Sequence, residues 1–223
     1  MINLKNVYLN YPNYSSDGRY IKNVFFNYKK KIIKDYKILK NINLTINKGE
    51  KLGIVGNNGS GKSSLLKVLS GLLPATSGTV QIEKNTLAIL NIAAGLEDYL
   101  DAKDNIFSLN LINDIKPNLN ELDIQNILKF AELEKYSKQP LKTFSDGMKL
   151  RLSFSLYTYQ TPKCLILDEW LSVGDKNFKE KCVKKLNDII SSSEIFIIAS
   201  HDEDLINRVC NRVIRLNDGM IEQ

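Results

Sequence analysis

Eight consecutive residues, Gly56-Asn57-Asn58-Gly59-Ser60-Gly61-Lys62-Ser63, carry the spacing G-x-x-x-x-G-K-[ST]. The three glycines let the backbone turn tightly enough for successive N–H groups to face one anion. A helix opening at the end of the loop adds partial positive charge. In that frame Lys62 reaches the terminal phosphates, the Ser63 hydroxyl is a ligand for Mg²⁺, and Ser64 completes the phosphate-binding stretch. These residue types at this spacing imply a nucleoside-triphosphate site.

A second half-site lies downstream. The apolar run Lys163-Cys164-Leu165-Ile166-Leu167 reads as a central parallel strand and ends in Asp168-Glu169. Asp168 is placed to hold Mg²⁺ directly or through water. Glu169, one residue on, is placed to orient or deprotonate the attacking water. His201, the only histidine, follows the next apolar run, Glu194–Ala199. In a parallel sheet it emerges at the same edge as Asp168, where a neutral imidazole serves as a sensor of the γ-phosphate. The alternative is a capping or structural histidine.

These residues need elements to hold them. Lys51–Val55 reads as a short buried strand before the glycine loop, and Ser64–Leu73 as a helix stopping at Pro74. Residues 2–9 and 37–46 alternate apolar and polar as half-exposed strands, and short strands are expected at 79–82 and 87–90. From about 100 to 160 the strand signal gives way to helical spacing broken at Pro117 and Pro140, the pattern of a helical lobe inserted into an α/β core. A basic helix is expected over 178–190, and a strand with an Asp218-Gly219 turn closes the chain.

Tyr11 and Tyr14 lie in a turn-rich segment, where an aromatic ring stacks on a nucleotide base or packs on a sheet edge. Arg19 to Tyr36 places aromatic residues beside Lys29, Lys30, Lys31 and Lys34 and reads as an amphipathic basic helix. It suits a membrane interface, a partner's groove or its own domain.

With 223 residues, 43% of them hydrophobic, the chain is long enough for one large domain or two joined lobes. The +6 net charge permits an anionic partner without requiring one. Three cysteines, Cys164, Cys182 and Cys210, lack metal-ligand spacing and read as bystander thiols of a reducing compartment. The N-terminus has no signal-peptide pattern, and no apolar run approaches the ~18 residues of a membrane span.

Phe144-Ser145-Asp146-Gly147-Met148, followed by Lys149-Leu150-Arg151-Leu152-Ser153-Phe154, resembles the signature stretch of ABC ATPases. Together with the phosphate loop, Leu165–Glu169 and His201 in that order, the chain resembles an ABC transporter nucleotide-binding subunit over nearly all its length. The resemblance implies an α/β P-loop NTPase (ABC ATPase) core with a mixed sheet, an antiparallel β region and an inserted helical lobe. It divides the chain into a core of 1–98 and 161–223, a helical subdomain of 99–160 and an amphipathic insertion at 15–37. It also implies ATP and Mg²⁺ as ligands and a head-to-tail homodimer, with Ser145 and Gly147 of one copy closing on the γ-phosphate held by the other.

Finer features, Leu171-Ser172-Val173-Gly174-Asp175, Phe178–Cys182, Ala93–Leu96 and Asp104-Asn105-Ile106, are similar to exporters of O-antigen, capsular polysaccharide and teichoic acid. That branch implies a transmembrane permease partner, a lipid-linked glycan substrate, no nucleic acid, and a peripheral position on the cytoplasmic face of the inner membrane. By the same resemblance Tyr11 or Tyr14 stacks on adenine, the Phe25-Phe26 helix faces the membrane partner, and Asp175 joins the two ATP sites. Members that append a carbohydrate-binding domain are longer; none is expected here. The rival readings are an ABC subunit for another substrate and a soluble ABC ATPase acting on nucleic acid or the ribosome. Two positions depart from the family pattern. Asn91 stands nearest the place of the usual Gln, as a substitute ligand for Mg²⁺ or water, and Asp146 stands where Gly or Ser is usual.

Overall fold

The computed structural model describes residues 1–11, 35–169 and 176–222. Two sheets carry the architecture. A three-stranded antiparallel sheet runs in the order β2 (Tyr36–Ile46), β1 (Ile2–Tyr11), β4 (Ser77–Gln81). A six-stranded sheet runs β5 (Thr86–Ile89), β6 (Cys164–Asp168), β7 (Ile195–Ala199), β3 (Lys51–Val55), β8 (Arg212–Asn217), β9 (Met220–Glu222). All its pairings are parallel except the β8–β9 hairpin. This mixed sheet, with the antiparallel region beside it, is the expected α/β class.

The first strands do not alternate simply. Ile2 and Leu4 are buried on one phase and Val7 and Leu9 on the other. The pairing slips between Leu4/Leu44 and Val7/Ile42, where Asn6 takes φ 48°, and again between Val7/Ile42 and Leu9/Leu39, where Asn41 takes φ 54°. Asparagine tolerates that conformation better than most residues, so a bulge is cheap there. A third slip leaves Ile38 extra between Leu39, opposite Leu9, and Lys37, opposite Asn10.

Helix α1 (Lys62–Leu69) ends four residues before the expected Leu73. Gly71, at φ +77°, donates to Val68 O, and Leu73 N–H turns back to Lys67 O at 3.0 Å. A left-handed glycine just past a helix satisfies its last carbonyls and stops it before Pro74 is reached. The buried face of α1 (Leu65, Leu66, Val68, Leu69) joins one core with Ile2, Leu44, Ile54, Ile166 and Ile197, so the phosphate loop stands on packed apolar side chains.

Between β5 and β6 come α2 (Ala102–Asn113), α3 (Glu121–Ala131) and α4 (Asp146–Tyr157), the expected helical lobe. Asp101 caps α2, and a reciprocal Asn120/Asp123 capping box opens α3. Phe130 of α3, Phe154 of α4 and Phe178 of α5 (Lys176–Ser192) gather with ring centroids 6.1 to 6.4 Å apart. That cluster ties the lobe to the sheet layer. A short helix not foreseen from the sequence, α6 (Glu203–Val209), follows β7 and is capped by Asp202.

The amphipathic helix of 19–36, Tyr14 and Asp175 fall outside the described residues, apart from the helix's last two positions. Tyr36, with Lys37 of the 15–37 insertion, is strand rather than helix, paired with Tyr11 and Asn10 respectively. The cross-strand hydrogen bonds already available from β1 extend β2 to Tyr36.

Candidate functional site

Strand β3 delivers the chain into Gly56, whose φ is 154°. A Cβ there would lie 2.2 Å from the Leu216 carbonyl oxygen of β8 and 2.9 Å from Ser60 Oγ. Only glycine lets the loop pass so close to the neighbouring strand. Gly61 then serves as the N-cap of α1, so the helix begins at Lys62 and its free N–H groups open toward the loop. Lys62 Nζ donates to Gly56 O at 2.7 Å and Asn57 O at 3.1 Å, folding the side chain back across the loop. An ammonium has three donors, so two are engaged by the loop.

Asn58, Gly59, Gly61, Lys62, Ser63 and Ser64 line one open cavity of about 580 Å³ together with Ile38, Leu90, Asp168 and Glu169. Both strand-end carboxylates therefore face the glycine loop, although more than a hundred residues separate them in sequence. Parallel pairing of β6 with β7, and of β7 with β3, aligns the carboxyl ends of the three strands. Ser60 is buried behind the loop, not in the cavity wall.

Glu169 leaves β6 at φ +67°, a conformation uncommon for a residue with a side chain. Its N–H donates to Ala199 O at 2.8 Å, which holds the strained residue against β7. Its Oε1 lies 3.0 Å from His201 Nδ1, and its Oε2 accepts from Ser200 Oγ at 3.0 Å. An imidazole protonated on Nδ1 donates the first of these bonds. Asp168, Glu169 and His201 thus meet at one sheet edge, as expected from the parallel order.

Other expected site residues lie elsewhere. Asn91 follows the cavity residue Leu90, and its Oδ1 accepts from Ala93 N–H at 3.3 Å within its own turn. Tyr11 is partly exposed and pairs with Tyr36 two residues before Ile38; neither tyrosine lines the cavity. Ser145 and Gly147 stand on the helical lobe away from the cavity. Ser145 Oγ caps α4 by accepting from Met148 N–H at 3.2 Å. Asp146 occupies the first turn of α4, where a carboxylate is favoured by the helix dipole, and it is exposed.

Ile38, Leu90 and Ser200 are the site residues that sequence reading missed. Ile38 looked like one more alternating strand residue, and only the slip beside it turns it to the cavity. Ser200 stands between the apolar run Glu194–Ala199 and His201, where nothing in the sequence gives it a role. Burial pushes the Cys164 and Cys182 thiols up to about 12 and Cys210 to about 11, which favours the protonated thiol.

A glycine loop between strand and helix, carboxylates at the end of a parallel strand one removed in the sheet and a helical lobe in between define a phosphate-loop ATPase of the ATP-binding-cassette class. A profile of the ABC transporter family matches residues 39–172. The chain belongs to that family, as an ATP-binding, ATPase subunit. It is 33% identical over 225 residues to the O-antigen export system ATP-binding protein RfbE of Yersinia enterocolitica, covering 97% of this chain and 94% of that one. It is 33% identical to the teichoic acids export ATP-binding protein TagH of Listeria monocytogenes serotype 4b, covering all of this chain and 66% of that protein. The Lactococcus lactis TagH is 37% identical over 189 residues, which span 40% of its length. Among solved structures, a dimeric ATP-binding cassette in a post-hydrolysis state with ADP and Pi superposes with a TM-score of 0.73 at 24% identity, covering all of this chain and 97% of that one. That likeness concerns the fold.

Proposed function

We propose that this chain hydrolyses ATP as the motor subunit of an exporter that moves a lipid-linked polysaccharide, of O-antigen, capsule or teichoic acid type, across the cytoplasmic membrane. The observation that carries the chemistry is the shared cavity: Lys62 and Ser63 on one wall, Asp168 and Glu169 on the other. The polysaccharide follows from the two export systems it resembles over nearly its whole length.

In this reading the backbone of Gly56–Gly61 and the start of α1 cradle the phosphates with Ser63 and Ser64, and the third Lys62 donor turns to the β/γ oxygens. Glu169 takes a proton from water as the water oxygen bonds the γ-phosphorus and the P–O bond to ADP breaks. His201, exposed beside Glu169, reports on the γ-phosphate. The Ser63 hydroxyl and the Asp168 carboxylate are hard oxygen donors in one cavity, a set that fits Mg²⁺; Asn91 is a further candidate ligand. Mg²⁺, when bound, neutralises charge on the phosphate oxygens.

Ser145 and Gly147 stand outside this cavity, which suits a role on a second copy. There the N-terminus of α4 faces the partner's γ-phosphate in a head-to-tail homodimer. Tyr11 or Tyr14 is assigned to the adenine. Residues 99–160 act as the helical subdomain, with 1–98 and 161–223 as the core and 15–37 as the insertion toward a transmembrane permease. In this reading the permease supplies the path and this subunit sits at the cytoplasmic face; among the described residues no helix is long and apolar enough to cross a membrane. Nucleic acid is not a partner in this reading.

The test is Mg²⁺-dependent ATP hydrolysis by the purified protein and by Glu169→Gln, with size-exclusion in ATP. Wild-type turnover, with a mutant slowed by about 10²- to 10⁴-fold and held as an ATP dimer, is the expected result. Undiminished turnover in Glu169→Gln would sink the catalytic assignment. Co-purification of the permease, and ATP-dependent glycan transfer into vesicles carrying both subunits, test the transport reading.

A further inference from the structure

We propose that Ser200 is a positioning residue for Glu169, aiming its Oε1 at the attacking water; the inference rests on the assignment of Glu169 as the base. Ser200 is buried, at 1% exposure, at the end of β7, while the His201 side chain beside it is 79% exposed. Its backbone N–H is tied to Ile54 O at 3.3 Å, at the strand that feeds the phosphate loop. Its hydroxyl accepts the Asp202 N–H at 3.1 Å and donates to Glu169 Oε2 at 3.0 Å.

A hydroxyl carries one hydrogen, and the N–H arriving from Asp202 occupies a lone pair and orients the group. The proton then points at the carboxylate. Asp202 is itself held, because its Oδ1 caps α6 by accepting from Leu205 N–H at 2.9 Å. Glu169 needs such help. Its positive φ leaves the side chain at the end of a strained backbone, and a carboxylate free to rotate presents either oxygen to the water. Ser200 fixes Oε2 from within the protein. The other oxygen, Oε1, has the exposed imidazole as its partner among the described residues and becomes the one available to water when His201 turns to phosphate. A donor already in place costs no reorganisation at the moment of proton transfer.

The test compares Ser200→Ala, Ser200→Thr, Ser200→Cys, Glu169→Gln and the Ser200→Ala/Glu169→Gln double variant. In Ser200→Ala we expect kcat to fall roughly tenfold to a hundredfold, the loss of one hydrogen bond to a charged group, with KM for ATP within about twofold. Ser200→Thr keeps the hydroxyl and restores most of the rate; Ser200→Cys, a weak donor of similar size, does not. In the Glu169→Gln background, Ser200→Ala removes nothing further, because both changes act through one group.

Wild-type turnover in Ser200→Ala, with Glu169→Gln inactive, overturns the positioning role and leaves the base assignment intact. Wild-type turnover in Glu169→Gln overturns the base assignment itself. Should Ser200→Ala not fold, Ser200→Cys against Ser200→Thr decides, and equal rates overturn the proposal.

Discussion

Gly219 donates its backbone N–H to the carbonyl oxygen of Ser60 at 3.0 Å, tying the turn of the last hairpin to the back of the phosphate loop. The same glycine accepts from Lys40 N–H at 2.8 Å, and the Lys40 ammonium pairs with Asp218 at 2.6 Å. The turn therefore sits between the phosphate loop and β2, whose Ile38 lines the nucleotide cavity. A Cβ on Gly219, at φ +76°, would come 2.2 Å from Ile38 O. We expect Gly219→Ala to cost about 1–3 kcal/mol of stability and to raise KM for ATP. Thermal unfolding and a nucleotide titration check both, and unchanged values would show the turn to be decoupled from the loop.

Lys62→Ala leaves the Gly56 and Asn57 carbonyls to solvent and removes the cation nearest the expected phosphates. We expect ATP affinity to drop roughly tenfold to a hundredfold, the worth of a charge-assisted hydrogen bond. Stability should change little, because the loop backbone keeps the bonds from Ser60 N–H to Asn57 O at 3.1 Å and from Gly219 N–H to Ser60 O at 3.0 Å. Titration calorimetry alongside a melting curve separates the two effects.

Asn105 is fully buried and knots the entry to the helical lobe. Its Oδ1 accepts from Glu97 N–H at 2.7 Å, while its Nδ2 faces the carbonyls of Glu97, Leu100 and Asp101 at 2.9 to 3.2 Å. Asn105→Ala leaves the part-buried Glu97 N–H without its acceptor and takes one donor from the carbonyls of Glu97, Leu100 and Asp101, which keep the N–H groups of Leu100, Leu141 and residue 105. We expect a loss of roughly 1–3 kcal/mol. Denaturant unfolding measures it. Limited proteolysis should then cut first within 95–101.

Asp123 gives a pH dependence. The Lys116 ammonium, then the Asn120 N–H at 3.0 Å and the Tyr159 hydroxyl at 2.8 Å, hold its carboxyl down to about 2, below its ordinary 3.8. A carboxyl whose folded value is depressed stabilises the fold above its unfolded value and loses that contribution as pH falls through the folded one. Asp123→Asn should therefore melt below the wild type at pH 6, with the difference shrinking between about pH 4 and 2. A constant difference across that range would assign the effect to packing.

Much of the site was legible because its parts are local. The phosphate loop is one uninterrupted stretch, and its glycines, its lysine and the helix behind it announce themselves by spacing. Asp168-Glu169 and His201 each end an apolar run, and parallel strands must bring such ends to one edge. The ABC ATPase fold followed from the order of those pieces.

What the chain determined alone was thus the chemistry of each short segment, since backbone conformation and residue type are set within a few positions. Tertiary structure decided which segments meet. The slip that turns Ile38 into the cavity depends on two strands finding register across a bulge, and no periodicity within either strand reveals it. Ser200 gains its role only when β6 and β7 pair and Glu169 bends back at positive φ. The grip of Gly219 on Ser60 joins residues far apart in the chain, and the signal for it is a close approach that exists only in three dimensions.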